Sequence, residues 1–272
     1  TMADLPTHFA SDGLPTYFPP SGNSSGSDSL GAYLLAVSHE KSLQDARFQI
    51  PAASLTRLHA GLINFVEGRV TPATWNPAGA MGLAARKLAA IEALSRYGKA
   101  QARMLDSVGF EPNRWPTSAV IDWISIAQRM PELPGAAAQL EQARQVLLAR
   151  LQYQGSRVVF STEREDNWYW TMSNADSNAA RLIGLAMRDP VLQADVPRLV
   201  TGLMGRSQRG HWSTTTANAW AQLSLDAFSA KNEREPVTGS TQASLSPDGK
   251  ASLDWSAITA ANQPYNVSLA GM

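Results

Sequence analysis

The chain has 272 residues, with 23 lysines and arginines, 23 aspartates and glutamates, and no cysteine. This length suits one large domain, or one medium domain with a smaller piece. The formal net charge of zero argues against nucleic acid as a partner, because nucleic acid selects clustered positive charge. The absence of cysteine excludes disulfide bonds, thiolate metal sites, cysteine nucleophiles and internal thioesters within these residues.

The N-terminal residues carry little helical signal. Residues 1–29 are rich in proline, glycine and serine, and they predict an irregular segment that leads into the first helix. They lack the basic and apolar regions of a signal peptide. Nowhere does the sequence contain a run of about 18 apolar residues, so we expect no membrane-spanning helix.

From Leu30 onward, apolar residues recur at three- and four-residue spacing, which predicts a series of amphipathic helices. Glycine and proline residues stand where most of these helices should end. The predicted helices cover 28–41, 52–69, 80–97, 99–107, 116–130, 135–154, 175–188, 193–205 and 214–230.

Four helices share one kind of beginning. A small hydroxyl or carboxylate residue precedes each of them and can accept a bond from a free N–H group of the first turn. The helices themselves are rich in alanine, which lets helices approach closely, so we interpret these four as buried inner helices. Longer and more charged helices, such as 82–97 and 135–154, alternate with them. The four beginnings are Asp28–Ser29, Pro116–Ser118, Asp176–Ser177 and Ser213–Thr214.

The similar beginnings indicate a divergent array of helical hairpins. Such an array either closes into a toroid or stays open as a solenoid. In both cases the inner helices carry the stability. We therefore expect Ala219→Glu, a charge placed in the last inner helix, to abolish folding.

The last 40 residues predict strands instead of helices. Residues 236–245 are rich in threonine and serine, Pro247–Gly249 is a turn signal, and Ala251–Trp255 alternates. Together they predict a β-hairpin, and Tyr265–Leu269 predicts a third strand. Because three strands cannot bury two faces alone, we expect them to belong to a neighbouring β domain that the chain does not complete.

Several separated segments resemble one family. The stretch Gly210–Phe228 (GHWSTTTANAWAQLSLDAF) is similar to the region near the end of the thioester domain in α2-macroglobulins and complement proteins. Gly26–His39, Glu67–Arg69 and Asp166–Met187 resemble the bacterial branch of that family. The resemblance extends from about residue 12 to residue 245.

The resemblance implies an all-α fold, an α/α toroid of helical hairpins with a short C-terminal β appendage. In the family, this toroid interrupts a CUB-like β domain. The implied division is an irregular segment at 1–29, a thioester-like toroid at 30–232, and an incomplete CUB-like β segment at 233–272.

The function implied by the resemblance is that of a scaffold module in a bacterial protease-trapping, host-defence protein of the periplasm. The expected partners are the proteases trapped by the parent and the flanking macroglobulin-like and CUB-like β domains. We expect no enzyme activity, cofactor or metal within these residues, and a membrane anchor only through the parent. In active relatives a Cys-x-x-Gln motif forms the thioester. Here it either lies upstream of Thr1 or is missing from the parent, and both remain open.

The resemblance also implies one candidate site. In relatives that carry the thioester, aromatic side chains shield the reactive bond from water. Trp168, Tyr169, Trp170 and Met172 are the candidates for a remnant of that pocket.

Two other interpretations remain. In the first, a sugar-processing toroid enzyme uses carboxylates within 163–176, two of which would face each other about 5–9.5 Å apart in a central cavity. In the second, the chain is a binding scaffold with no inhibitory role. The four histidines show no spacing typical of metal ligands, so we assign them structural roles.

Overall fold

The computed structural model describes residues 2–22, 24–70, 79–161, 171–232, 238–244 and 250–255. Within these ranges the chain is mainly helical, and two short hairpins supply its strands, which confirms the predicted all-α class with a C-terminal β appendage. The chain divides into two compact units, Thr1–Asp226 and Ala227–Met272. No helix in the described part is both long enough and apolar enough to cross a membrane.

The described ranges contain eight α-helices and four strands. The helices are α1 Asp28–Ser42, α2 Ala52–Val66, α3 Ala80–Ser95, α4 Thr117–Arg129, α5 Ala136–Leu148, α6 Ala175–Ala186, α7 Val196–Met204 and α8 Thr215–Asn232. The strands are β1 Leu151–Gln154, β2 Arg157–Phe160, β3 Ser240–Ser244 and β4 Lys250–Asp254.

Five helices of the first unit succeed one another in a closed order of contacts. Helix α1 packs on α3, α3 on α4, and α4 on α6. Ser224 of α8 donates to the carbonyl of Ala180 in α6 at 2.7 Å, and Lys41 of α1 pairs with Asp226 of α8 at 3.2 Å. We call these five helices the inner ring. Outside it, α2 packs on α1 and α3, α5 on α4, and α7 on α6.

Contacts at two points along the helices show that α1 and α3 are parallel. Asp28 and Glu40 of α1 pair with Arg86 of α3 and with Arg96, the residue just after α3, in the same order. Parallel helices bring their partially negative C-terminal ends together, where cations are favourable. Arg96 and Arg129 both stand at such ends.

The burial of their residues supports the assignment of α4 and α3 to the inner ring. Every residue of α4 from Thr117 to Ala127 is buried. Helix α3 also belongs to the inner ring, although its stretch of sequence is one of the more charged ones. Its charged residues Arg86 and Glu92 are buried and pair with side chains of other helices. Charge in this helix therefore did not mark a face exposed to solvent.

The helix beginnings agree with the sequence in kind and differ by one or two residues. Ser27, one residue before the predicted start, accepts from an N–H group in the first turn of α1 at 3.2 Å. Asn174 and Ser177 form a reciprocal capping box at α6. Thr214 caps α8 as predicted, with its hydroxyl 3.1 Å from a first-turn nitrogen. Pro116 precedes α4 without a side-chain cap.

Two predicted helices are wrong in part. The stretch 135–154 divides into α5 and strand β1, which pairs with β2 across a turn at Gly155. Gly155 has a φ of 59°, a left-handed conformation that favours glycine, and the valines after it favour a strand. The stretch 99–107 contains only one 3-10 turn, Ala102–Leu105.

The irregular N-terminal segment is packed against the helices. The side chain of Leu14 is buried, and the Asp12 carboxylate accepts from the backbone N–H of Gly26 at 2.9 Å. Arg57 of α2 donates to the carbonyl of Ala10 at 2.8 Å. The segment therefore contributes to the core although it forms no regular helix there.

The second unit contains the predicted C-terminal hairpin. Strands β3 and β4 are antiparallel, with Ser240 opposite Asp254 and Ser244 opposite Lys250. The Trp255 indole donates to the Thr241 hydroxyl at 2.7 Å. The predicted third strand at 265–269 lies outside the described residues.

Candidate functional site

The helices of the inner ring line a small, partly open cavity, to which all five contribute. Its volume is about 30 Å³, which holds one or two water molecules. The charged side chains in its wall are Glu92 of α3, Asp122 of α4 and Arg181 of α6. Tyr33 of α1 and Trp220 of α8 supply aromatic surface. This is the polar centre of the first unit.

Of the four residues of the predicted aromatic pocket, Met172 lies within the described residues. Met172 lines the cavity together with its two neighbours, Thr171 and Ser173. Its φ of 60° is left-handed, which costs roughly 1–2 kcal/mol for a residue with a side chain. Trp168, Tyr169 and Trp170 lie outside the described residues, so the aromatic pocket itself stays a prediction.

Glu92 is the centre of a buried charge network. Its side chain is 2% exposed, and Oε1 lies 2.6 Å from a guanidinium nitrogen of Arg96 and 2.9 Å from one of Arg129. Burial raises the pKa of Glu92, but Arg96 and Arg129 outweigh burial and hold it well below its usual range. Arg96 also pairs with Glu40 of α1. Glu92 therefore remains ionised and links three helices.

A second buried pair joins α4 to α6. Arg181 donates to the Asp122 carboxylate, and the two side chains are 11% and 3% exposed. Burial raises the pKa of Asp122 to about 6 in spite of the lowering effect of Arg181, and the negative charge of Glu92 adds to the rise. The two carboxylates of the cavity therefore differ: one stays ionised, and the other binds a proton in mild acid.

The Trp220 ring lies close to one arginine of each buried ion-pair group, the group around Glu92 and the pair of Asp122 with Arg181. Its ring centroid is 5.7 Å from the guanidinium carbon of Arg96 and 5.5 Å from that of Arg181. Both distances permit a cation–π interaction. Because Arg96 directly follows α3 and Arg181 lies in α6, Trp220 connects α8 to both of these helices.

Asp176, one of the carboxylates considered for a sugar-processing site, has a structural role here. It accepts from Arg206 Nε at 2.6 Å and from the backbone N–H of Ser213 at 3.0 Å. Burial raises its pKa, but the bonds from Ser213 and Arg206 hold it below its usual value. It thus connects the start of α6 to the segment before α8. The other acids considered, at 163–166, lie outside the described residues.

Two histidines pack against one tyrosine. The rings of His39 in α1 and His59 in α2 lie edge-on to Tyr97, with centroids 4.9 and 5.0 Å away. Burial lowers the pKa of both histidines. His8 and His211 each contact a backbone carbonyl. No three potential metal ligands cluster anywhere in the described ranges.

Sequence analysis missed the residues that form this centre: Glu92, Asp122, Arg181 and Trp220. The available signal was a lone charge within a buried stretch. Asp122, for example, interrupts the run Val120–Ile124 in a helix assigned to the inside. A buried charge needs a partner of opposite charge, so such an interruption predicts an internal ion pair.

The similarity of this chain to known proteins lies in its fold. No protein-family model matches the chain, and no curated protein matches it. In the described residues, the architecture defines an all-α class with five inner helices and three helices packed outside them.

Among solved structures, the part of native Escherichia coli α2-macroglobulin from domain MG7 to the C-terminus matches 93% of this chain. The match covers 36% of that part, with a TM-score of 0.61 and 14% identity. The Salmonella protein reacted with methylamine matches 92% of this chain and 15% of its own (TM-score 0.62, 16% identity). The trypsin-activated Escherichia coli protein matches 94% and 16% (TM-score 0.60, 14% identity). The chain thus shares its fold with part of the bacterial α2-macroglobulins and spans about a third or less of the length of these three.

Proposed function

We propose that this chain is the ring module of a bacterial α2-macroglobulin-like protein that traps proteases, and that the module is a scaffold with no catalytic site. The observation that carries the proposal is the fold, which matches bacterial α2-macroglobulins along nearly the whole chain. The predicted family resemblance rests on sequence segments, and the fold comparison supports it independently.

The states of the matching structures support a scaffold role. The TM-scores to the native, methylamine-reacted and trypsin-activated forms are 0.61, 0.62 and 0.60. The chain therefore matches the fold of this region in all three forms. On that basis we propose that the module keeps its internal structure while the parent rearranges around it.

The order of helix contacts supports the predicted α/α toroid. The five inner helices close a ring, and α2, α5 and α7 pack outside it. We propose that close helix packing around buried ion pairs makes this ring the rigid part of the module.

The C-terminal hairpin supports a connection to neighbouring β structure. Two strands alone are marginally stable in water. We therefore propose that β3 and β4 are completed by a CUB-like β domain of the parent, as the predicted division at 233 implies. The same proposal places the parent in the periplasm, with trapped proteases and flanking macroglobulin-like domains as its partners.

The polar centre supports a role without bond chemistry. The chain has no cysteine, and both carboxylates of the cavity are engaged by arginines. A cavity of about 30 Å³ is far smaller than the roughly 300 Å³ or more of a ligand pocket. In this cavity the pairing of both carboxylates with arginines argues against the sugar-processing alternative.

Protease trapping has a distinct kinetic signature, which tests the proposal. The full-length parent is incubated with trypsin, and residual activity is then measured on a small peptide amide and on a large protein such as casein. An enclosed protease keeps most activity on the small substrate and loses most activity on the large one. A parallel sample with serum albumin in place of the parent controls for nonspecific loss.

The other outcomes identify the alternatives. Equal loss on both substrates indicates an inhibitor that blocks the protease active site. No loss on either substrate supports a scaffold without inhibitory function. A trypsin adduct that survives denaturing electrophoresis indicates a covalent trap, and enclosure without an adduct indicates a non-covalent one.

A further inference from the structure

We propose that the central cavity is a proton-operated joint of the inner ring: in mild acid Asp122 takes up a proton and gives up its ion pair with Arg181, while the ring stays folded. This inference goes beyond the proposed scaffold function, because it makes the contact between α4 and α6 depend on pH.

Water in the cavity can replace Asp122 as the hydrogen-bond partner of Arg181. Asp122 and Arg181 both line it, and Arg181 Nε is buried and has no hydrogen-bond partner among the described residues. The cavity holds one or two water molecules. Such water can accept from the guanidinium group once the carboxylate is neutral. Breaking this ion pair therefore does not leave a buried cation without any acceptor.

The geometry selects Asp122 over Glu92 as the proton acceptor. Glu92 Oε1 accepts from both Arg96 and Arg129, at 2.6 and 2.9 Å. In the described residues, Asp122 has a side-chain ion pair with Arg181 alone. When two buried carboxylates share one site, the less compensated one takes the proton first.

The side chains around Asp122 come from the other four helices of the ring and from Arg96, and most of them are charged or titratable. Helix α3 contributes Glu92, its C-terminal neighbour is Arg96, and α6 contributes Arg181. Helix α1 contributes the Tyr33 phenol, whose pKa is raised by burial, so that it stays neutral. Helix α8 contributes Trp220, which does not titrate. Burial and the charge of Glu92 favour the neutral acid, and Arg181 opposes it without cancelling the effect.

The protonation step is simple. One proton from solvent binds a carboxylate oxygen of Asp122, and Arg181 keeps its own proton, so the local charge rises by one. The ion pair between α4 and α6 is replaced by a neutral acid and a hydrated guanidinium. Because Arg181 also lies against Trp220, the change reaches α8. Mild acid should therefore loosen α6 and α8 relative to α4.

Carbon-13 NMR of the 272-residue chain, labelled at aspartate carboxyl carbons, tests the proposal. Asp122→Asn identifies the resonance by its disappearance, and backbone correlations identify it independently if that variant does not fold. We expect an apparent midpoint near 6. A midpoint below 4, or no titration between pH 4 and 8, would overturn the proposal.

Thermal melting provides a second readout. A carboxyl that binds its proton more tightly in the folded state makes the wild type lose stability, relative to Asp122→Asn, as pH rises from 4 to 7. A shift of about two pKa units corresponds to a change of about 100-fold in the ratio of the two unfolding constants. Asp226→Asn, in a partly exposed ion pair, serves as the charge-matched control. A difference between wild type and Asp122→Asn that stays flat across this range contradicts the joint.

Discussion

Arg86 of α3 and Asp28 of α1 form a two-point ion pair in the interior. Arg86 Nε donates to Asp28 Oδ1 at 2.8 Å, a second guanidinium nitrogen contacts Oδ2, and each side chain is 3% exposed. Asp28 also stands in the first turn of α1, where a negative charge is favourable to the helix dipole. This pair fixes the beginning of the first inner helix against its neighbour.

Loss of one partner should therefore be costly. Arg86→Met leaves the Asp28 carboxylate buried and unpaired, and we expect a loss of about 3–5 kcal/mol in the free energy of unfolding measured in urea. Arg47→Met removes an ion pair in which the arginine side chain is 86% exposed, and it should change stability little. Similar losses in both variants would show that Arg86 does not act through a buried charge pair.

Glycine positions test the packing of the N-terminal segment on α2. A Cβ atom added at Gly61 would lie 2.6 Å from the carbonyl oxygen of Gly13, whereas one at Gly184 in α6 would meet nothing within 4 Å. We expect Gly61→Ala to lose about 1–3 kcal/mol through overpacking. Gly184→Ala should instead gain about 0.5–1 kcal/mol, because alanine favours a helix. Chemical unfolding of both variants measures the contrast, and a stabilised Gly61→Ala would refute the close approach.

The last inner helix offers a matched pair of positions. Ala221 is completely buried, whereas Ala219 is only partly buried. We therefore expect the substitution that abolishes folding to be at position 221 and not at position 219. Ala221→Glu should prevent folding, because it places a charge in a packed contact. Ala219→Glu should yield a folded but less stable protein. Circular dichroism distinguishes them, and the reverse order would contradict the observed face of α8.

Glu92 predicts an acid-dependent contribution to stability. Its pKa is held below the usual value in the folded state, so its contribution is present above pH 4.5, the unfolded value, and is lost as pH falls. Glu92→Gln should cost about 3–5 kcal/mol at pH 7, since Arg96 and Arg129 lose their common partner. The gap to the wild type should narrow below pH 4.5. Unfolding curves at pH 7 and pH 3 test this, and a constant gap would exclude an ionised Glu92.

The histidines around Tyr97 predict a second pH effect with the same sign. Burial lowers the pKa of His39 and His59 below 6.5, so the folded state binds fewer protons than the unfolded state. Stability from this cluster is therefore present above pH 6.5 and is lost as pH falls through that value. Replacing both histidines with glutamine should reduce the drop in melting temperature between pH 7.5 and pH 5. An unchanged drop would assign the acid sensitivity to other groups.

Local rules predicted much of the helical architecture. Three- and four-residue spacing located the main helices, and the cap at Thr214 was found by residue type. The hairpin at 151–160 was missed because Leu147 and Leu151 continue the helical spacing into β1. Only Gly155 and the valines beyond it mark the change.

The polar centre could not be predicted in the same way. Arg181 and Asp122 are 59 positions apart, and the ring that joins them exists only once the helices have packed. The charges of α3 did not indicate a buried helix, because partners such as Asp28 and Arg129 lie on other elements. In a buried, alanine-rich helix, an isolated charge is the better guide, since it requires a distant counter-ion.

The central claim is that the inner ring acts as one rigid scaffold while the parent responds to a protease. Hydrogen–deuterium exchange of the full-length parent, before and after cleavage by trypsin, measures this directly. The account predicts that amide protection in α3, α4 and α6 stays the same within error, with changes confined to segments outside the ring. Loss of protection in these three helices after cleavage would contradict it.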